Sequence, residues 1–295
     1  MIAEPALADA VLRTAPDAAL RADARRCVDL AFAREASGRG YLARQFVAYP
    51  VHVGRALHVD AAARDLCVVY LQSVSGGLFE HERLAGSIEL AAGARAHVAT
   101  PASTIVHAMQ GGCALQSMRL QVAPDALLEY MPAPLILFPG SHMVSDIEVE
   151  LADDARVIVA DSFLAHDHEG GDGSFRRIES AMTVRATDGR LLARERMCLD
   201  GALWRTNSAG GHGGLRMHGT LWMLGRGADA GLLAELRALP QGAGCLAGAS
   251  LLPHSAGIVF RVLASDAVGL EHLLHAAWRA ARIHFTGAAP GLRRR

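Results

Sequence analysis

Ile88-Glu-Leu-Ala-Ala-Gly-Ala-Arg-Ala-His-Val98, Leu120-Gln-Val-Ala-Pro-Asp-Ala-Leu-Leu-Glu-Tyr130 and Val149-Glu-Leu-Ala-Asp-Asp-Ala-Arg-Val-Ile-Val159 are one pattern written three times. Ala94 and Ala126 stand 32 residues apart, and Ala126 and Ala155 stand 29 apart. Each copy reads as an alternating strand, a tight Ala-x-Gly/Asp-Ala turn and a second alternating strand. A period near thirty built from strand pairs predicts stacked β coils, in which each unit covers the apolar edge of its neighbours. The expected fold is therefore mainly β, with stacked, helically wound, β-solenoid-like sheets and a few helices toward the C-terminus.

The surrounding sequence supports a folded body. The chain has 295 residues, is 51% hydrophobic and carries a formal net charge of −1. That composition fits one large core and argues against disorder. It gives no global field to steer the chain to nucleic acid or to an anionic membrane. All 29 basic residues are arginine, which excludes a Schiff-base lysine and a Walker-A phosphate loop. Cys27, Cys67, Cys113, Cys198 and Cys245 form no Cys-x-x-Cys. The start, Met1 to Arg21, lacks a basic region before a long apolar core. No apolar run reaches the length of a membrane span. Reduced thiols and a cytoplasmic location are the expectation.

Short alternating runs at 30–33, 45–49, 66–71 and 157–160 extend the β reading from Cys27 to about Thr220. Residues 229–239 read as a helix stopped by Pro240. Residues 266–283 read as another, with Asp266 as N-cap and Leu270, Leu273, Leu274, Ala277, Trp278 and Ala281 on one face. Residues 257–263 read as a strand between them. The domain reading is an N-terminal extension over 1–24, a single domain over 25–286 and a frayed tail over 287–295.

Two polar clusters could carry chemistry. In Asp161-Ser-Phe-Leu-Ala-His166-Asp-His168-Glu-Gly-Gly-Asp-Gly173, a strand would turn both imidazoles to one side, next to carboxylates that suit zinc or nickel. A solvated glycine-rich loop is the plainer alternative. Ser75-Gly-Gly-Leu-Phe-Glu80-His81-Glu82-Arg-Leu84 offers a turn presenting two acids, either as an acid–base pair or as an exposed rim. Gly210-Gly-His-Gly-Gly214 reads as a mobile turn, and Trp204, Trp222, Trp278, Met217 and Met223 as core or interface anchors. Ser103, Ser117 and Ser141 lack a Gly-x-Ser-x-Gly setting, so a hydrolase triad has no support.

The second cluster opens a longer resemblance. Ser75–Leu84, Gly93-Ala-Arg-Ala96, Thr100-Pro-Ala-Ser-Thr104, Leu128-Glu-Tyr-Met-Pro132, Ile136-Leu-Phe-Pro-Gly140, Gly219-Thr-Leu221 and the helix with Trp278 and Arg282 follow in order. Together they resemble the urease accessory protein UreD (UreH) family, as a divergent member. The family's Gly-Gly-Asp is Glu80-His81-Glu82 here, and its Gly-Arg-x-Ala-x-Gly-Glu stretch and Pro-Arg-x-Trp ending are altered or absent.

The resemblance implies a mostly β body and a maturation factor that performs no catalysis. Its implied partners are apo-urease and UreF-like and UreG-like accessory proteins, with no nucleic acid and no membrane. It implies no tightly bound cofactor and transient nickel, or zinc, in passage. On the matched positions Glu82, Glu129 and Asp161 are the candidate metal-contacting acids, facing a wet interior. His81, His166 and His168 are additions particular to this chain. The alternatives are a diverged paralogue serving as a plain protein-interaction module, and a β-coil enzyme using Glu80/Glu82 or Asp161/Asp167 as paired acids.

Overall fold

Ile88, Leu120 and Val149 lie side by side in the computed structural model, on three adjacent parallel strands. The 32- and 29-residue intervals of the sequence are thus the register of a sheet. The structure describes residues 23–206 and 212–291. The N-terminal extension apart from its last two residues, Gly210 and Gly211 of the glycine-rich turn, and Arg293–Arg295 lie outside them.

Each repeat contributes one strand to each of two sheets. β5 (Arg83–Leu90), β8 (Ala114–Val122) and β11 (His142–Leu151) run parallel in the first. β6 (Arg95–Ala99), β9 (Leu127–Met131) and β12 (Arg156–Ala165) run parallel in the second. The two strands flanking a turn therefore do not pair with each other, which corrects the reading of each unit as a strand pair. Ala94, Ala126 and Ala155 are fully buried at these corners, and each donates its N–H to the carbonyl three residues earlier. Gly93 (φ 68) and Asp125 (φ 59) take the left-handed conformation at equivalent positions, which glycine and the short Asp side chain tolerate best. The coil makes about four turns.

Parallel strands β1 (Arg25–Arg34) and β13 (Arg177–Ala186) extend the first sheet beyond the repeat, and antiparallel strands close both sheets outside them. β1 and β2 (Gly40–Val47) flank the first sheet on one side, and β13 and β14 (Leu191–Asp200) on the other. The second sheet starts with β3 (Val51–Val53) and β4 (Cys67–Ser73). Past β12 it continues through β15 (Met217–Gly225) and β17 (Gly257–Ala264) to an edge strand, β16 (Cys245–Leu251). Short strands β7 (Thr104–Val106) and β10 (Leu135–Leu137) line the return side of the coil.

Alternation along the second sheet divides the core. Leu128, Tyr130, Val157 and Val159 meet the first sheet inside the coil. Leu127, Met131, Ile158 and Phe260 point outward, beneath two helices. These are α2 (Ala230–Arg237) and α3 (Ala267–Thr286); a five-residue α1 (Gly201–Arg205) follows β14. In α3 the six apolar residues expected on one face are all buried, Asp266 accepts the Gly269 N–H, and Gly287 ends the helix at φ 76. Trp204, Trp222 and Trp278 are buried, as read from the sequence. The five cysteines are free thiols. Among the described residues no helix is long and apolar enough to cross a membrane.

Candidate functional site: a cavity inside the coil

Alternation in β12 turns Val157, Val159 and Phe163 inward, and Asp161 with them. Asp161 reaches a cavity of about 100 Å³ between the sheets, whose wall includes Thr100, Gln116, Tyr130 and Ser145. That is several times the roughly 10–15 Å³ needed to seat one water. The lining runs from Cys27 on β1 and Leu71 on β4 to Ser162 on β12, so the space follows the coil axis. Exposed Gln72 and Ser73 stand at its β4 end.

Asp161 also borders a second void of about 10 Å³, walled by Ser180, Glu195, Met197, His218 and Thr220 among others. Its carboxylate accepts the Ser180 hydroxyl at 2.6 Å. Burial pushes the Asp161 carboxyl up, and the Ser180 bond opposes that shift. Glu195, which also lines this void, pairs with Arg261 and so joins β14 of the first sheet to β17 of the second. Asp161 is thus the residue that lines both spaces.

His218 stacks on Phe163 with ring centroids 5.3 Å apart. Burial, helped by Arg261, lowers it from 6.5 to about 4, so the ring is neutral at pH 7 with a lone pair available. A histidine with a depressed folded value contributes stability above pH 6.5 that is lost as pH falls toward about 4, because the unfolded chain takes up the proton first. The expected result is that His218→Phe shrinks the drop in urea midpoint between pH 7.5 and pH 5. Equilibrium unfolding at both pH values measures it.

The remaining candidates lie elsewhere. Glu129 does not face the interior: it sits with Leu127 and Met131 on the helix side of β9, fully buried. Arg282 of α3 grips both of its oxygens and His97 Nδ1 lies 2.7 Å away. Asp60 holds Arg282 from the far side at 3.0 Å. Burial raises the Glu129 carboxyl, but the bonds from Arg282 and His97 outweigh it and bring it down to about 2. Its lone pairs are committed to this ion cluster.

Glu80 accepts the N–H groups of Gln110, Gly111 and Gly112, which hold its carboxyl down at about 2. Glu82 accepts the Phe79 N–H at 2.9 Å. His81 is exposed with φ 68. The glycines ahead of them serve backbone geometry, with Gly76 at φ 81 and Gly77 at φ 146. These acids anchor loops and do not stand as a free acid–base couple. His166 and His168 fall outside the strand, because β12 ends at Ala165. Asp167 accepts the Glu169 and Gly173 N–H groups and curls the chain into an exposed loop. His168 stacks on Phe138 at 4.3 Å, and His166 lies 6.2 Å from the same ring.

The six candidates therefore do not converge, and among the described residues no group of three His, Cys, Asp or Glu is placed to hold a metal ion. Sequence reading missed Ser180, His218 and the Glu195–Arg261 pair, which strands outside the repeat bring to the Asp161 side of the interior. It also missed His97, although the repeat could have shown it: His97 and Glu129 occupy the same rung in successive turns.

Fold and interior together define a parallel β-solenoid with a cavity between its sheets, capped on one face by helices. A family model described as UreD urease accessory protein matches residues 24–295. "Urease accessory protein UreD 1" of Methylorubrum populi is 40% identical over 269 residues, 90% of each chain. A protein of the same name in Pseudomonas syringae pv. syringae is 36% identical over 283 residues, 95% of this chain and 99% of its own. "Urease accessory protein UreD" of Cenarchaeum symbiosum is 30% identical over 281 residues, 88% of this chain and 93% of its own. The chain belongs to the UreD family of urease accessory proteins, and its role lies in urease maturation.

Proposed function

We propose that this protein is a scaffold without catalysis of its own, which binds apo-urease together with UreF-like and UreG-like accessory proteins and passes nickel toward the urease active site. The observation that carries the reading is the cavity between the sheets, with Asp161 on its lining and on that of the smaller void beside it. A hydrated divalent cation needs oxygen ligands that hold it weakly enough to let go, and a lone carboxylate among hydroxyls and water meets that need better than a closed cage of three or four ligands. The absence of a converging metal group among the described residues suits passage over storage. The family relationship supports the client, and nickel is cargo here.

Asp161→Asn keeps the size of the side chain and removes its charge. Co-expressed with urease and its accessory proteins, the variant is expected to co-purify with them as the parent does, while urease nickel content and activity fall at least tenfold. Unchanged nickel content would sink the passage reading. Loss of co-purification from both chains would sink the scaffold reading instead. Unchanged nickel with intact complexes would favour a plain interaction module.

A further inference from the structure

The second sheet ends at β16, Cys245-Leu-Ala-Gly-Ala-Ser-Leu251, a strand without a charged residue or proline. Such an edge presents free N–H and C=O groups, and proteins normally guard it with charge, proline or a bulge. None of these devices is in β16. The guard comes from the last residue of α2 and the segment after it. The Gln241 side-chain amide donates to the Ala247 carbonyl at 2.9 Å and accepts the Ala247 N–H at 3.0 Å. This is the two-bond exchange that a neighbouring strand would make. Arg237 Nε donates to the Ala249 carbonyl at 3.1 Å, and the Cys245 N–H goes to the Gly242 carbonyl at 3.2 Å. Edge-facing groups at 245, 247 and 249 are thus occupied by substitutes for a strand. Gln241 and Arg237 are both exposed, so water competes for these bonds.

We propose that the β16 edge is a pairing surface for a second copy of this chain, held shut by the Gln241–Arg237 clamp. The strand is self-complementary about Gly248. A two-fold axis there places Ala247 opposite Ala249 and Cys245 opposite Leu251, so the residues whose backbone groups face outward meet one another in register. No like charges meet across the axis. Leu246 and Leu251, 59% and 57% exposed, gain cover. A Cβ at Gly248 meets nothing within 4 Å, so the dyad position is sterically open.

The test compares the full chain with Q241A/R237A, and with the same double variant carrying Gly248→Lys, which sets two like charges across the dyad. Light scattering after size exclusion over a hundredfold concentration range reads the mass, and hydrogen exchange reads the Ala247 and Ala249 amides. The parent is expected to stay monomeric with Ala247 protected. The double variant is expected to form a dimer at least tenfold more tightly, and Gly248→Lys to abolish it. A double variant that stays monomeric overturns the proposal. So does association that Gly248→Lys leaves unchanged, or a parent whose Ala247 amide exchanges as freely as an open loop.

Discussion

Replacing Arg282 with methionine is expected to cost about 3–5 kcal/mol of stability, the usual penalty for stranding one partner of a buried ion pair. Arg282 is 1% exposed and Glu129 0%, so solvent cannot take over the lost bonds. The loss spreads because three separate parts of the chain meet at this guanidinium. α3 carries Arg282, β9 carries Glu129, and the loop before β4 carries Asp60, which also accepts the Gly291 N–H. A double variant, E129L/R282M, is expected to recover part of the loss, since an apolar pair of similar volume removes the stranded charge. Chemical denaturation of the three chains measures both effects.

The same cluster sets an acid limit. The Glu129 carboxyl is lowered from 4.5 to about 2 in the folded chain. As pH falls, the unfolded chain binds that proton first, so the contribution is whole above pH 4.5 and disappears between 4.5 and about 2. Arg282→Met removes the main group holding the carboxylate ionised. The variant is therefore expected to lose less stability than the parent across that window, from a lower starting point.

Gly225→Ala is the second large effect, expected at about 3 kcal/mol or more from left-handed strain and a backbone clash together. Gly225 ends β15 at φ +86, opposite Arg156, where the chain folds over the third corner of the coil. An added Cβ there lies 2.0 Å from the Ala155 carbonyl oxygen, a backbone atom that cannot swing away. Gly189, in the turn joining β13 to β14, provides the control. It has the same φ of +86 but nothing within 4 Å of an added Cβ. Gly189→Ala is expected to cost only the left-handed penalty, about 1–2 kcal/mol. Equal denaturation midpoints for the two variants would refute the clash argument.

The sequence by itself determined the coil. Copies at 32- and 29-residue intervals must share a register, because in-phase alternation lets every inward Ile, Leu and Val meet its counterpart one rung away, as Ile88, Leu120 and Val149 do. It also determined α3, whose cap, apolar face and end are local features. Asp161 stands out through the resemblance, and the alternation of β12 turns it inward with Val157 and Val159. The partner of a buried charge was decided only by tertiary structure. Glu129, expected toward the lumen by analogy, lies on the helix side of β9 with Leu127 and Met131, and meets Arg282, 153 residues away. Likewise Ser180, His218 and Glu195 come to Asp161 from β13, β15 and β14, strands outside the repeat. A period records what each turn of the coil shares, whereas the small void of Ser180, Glu195 and His218 beside Asp161 is built where the repeat stops.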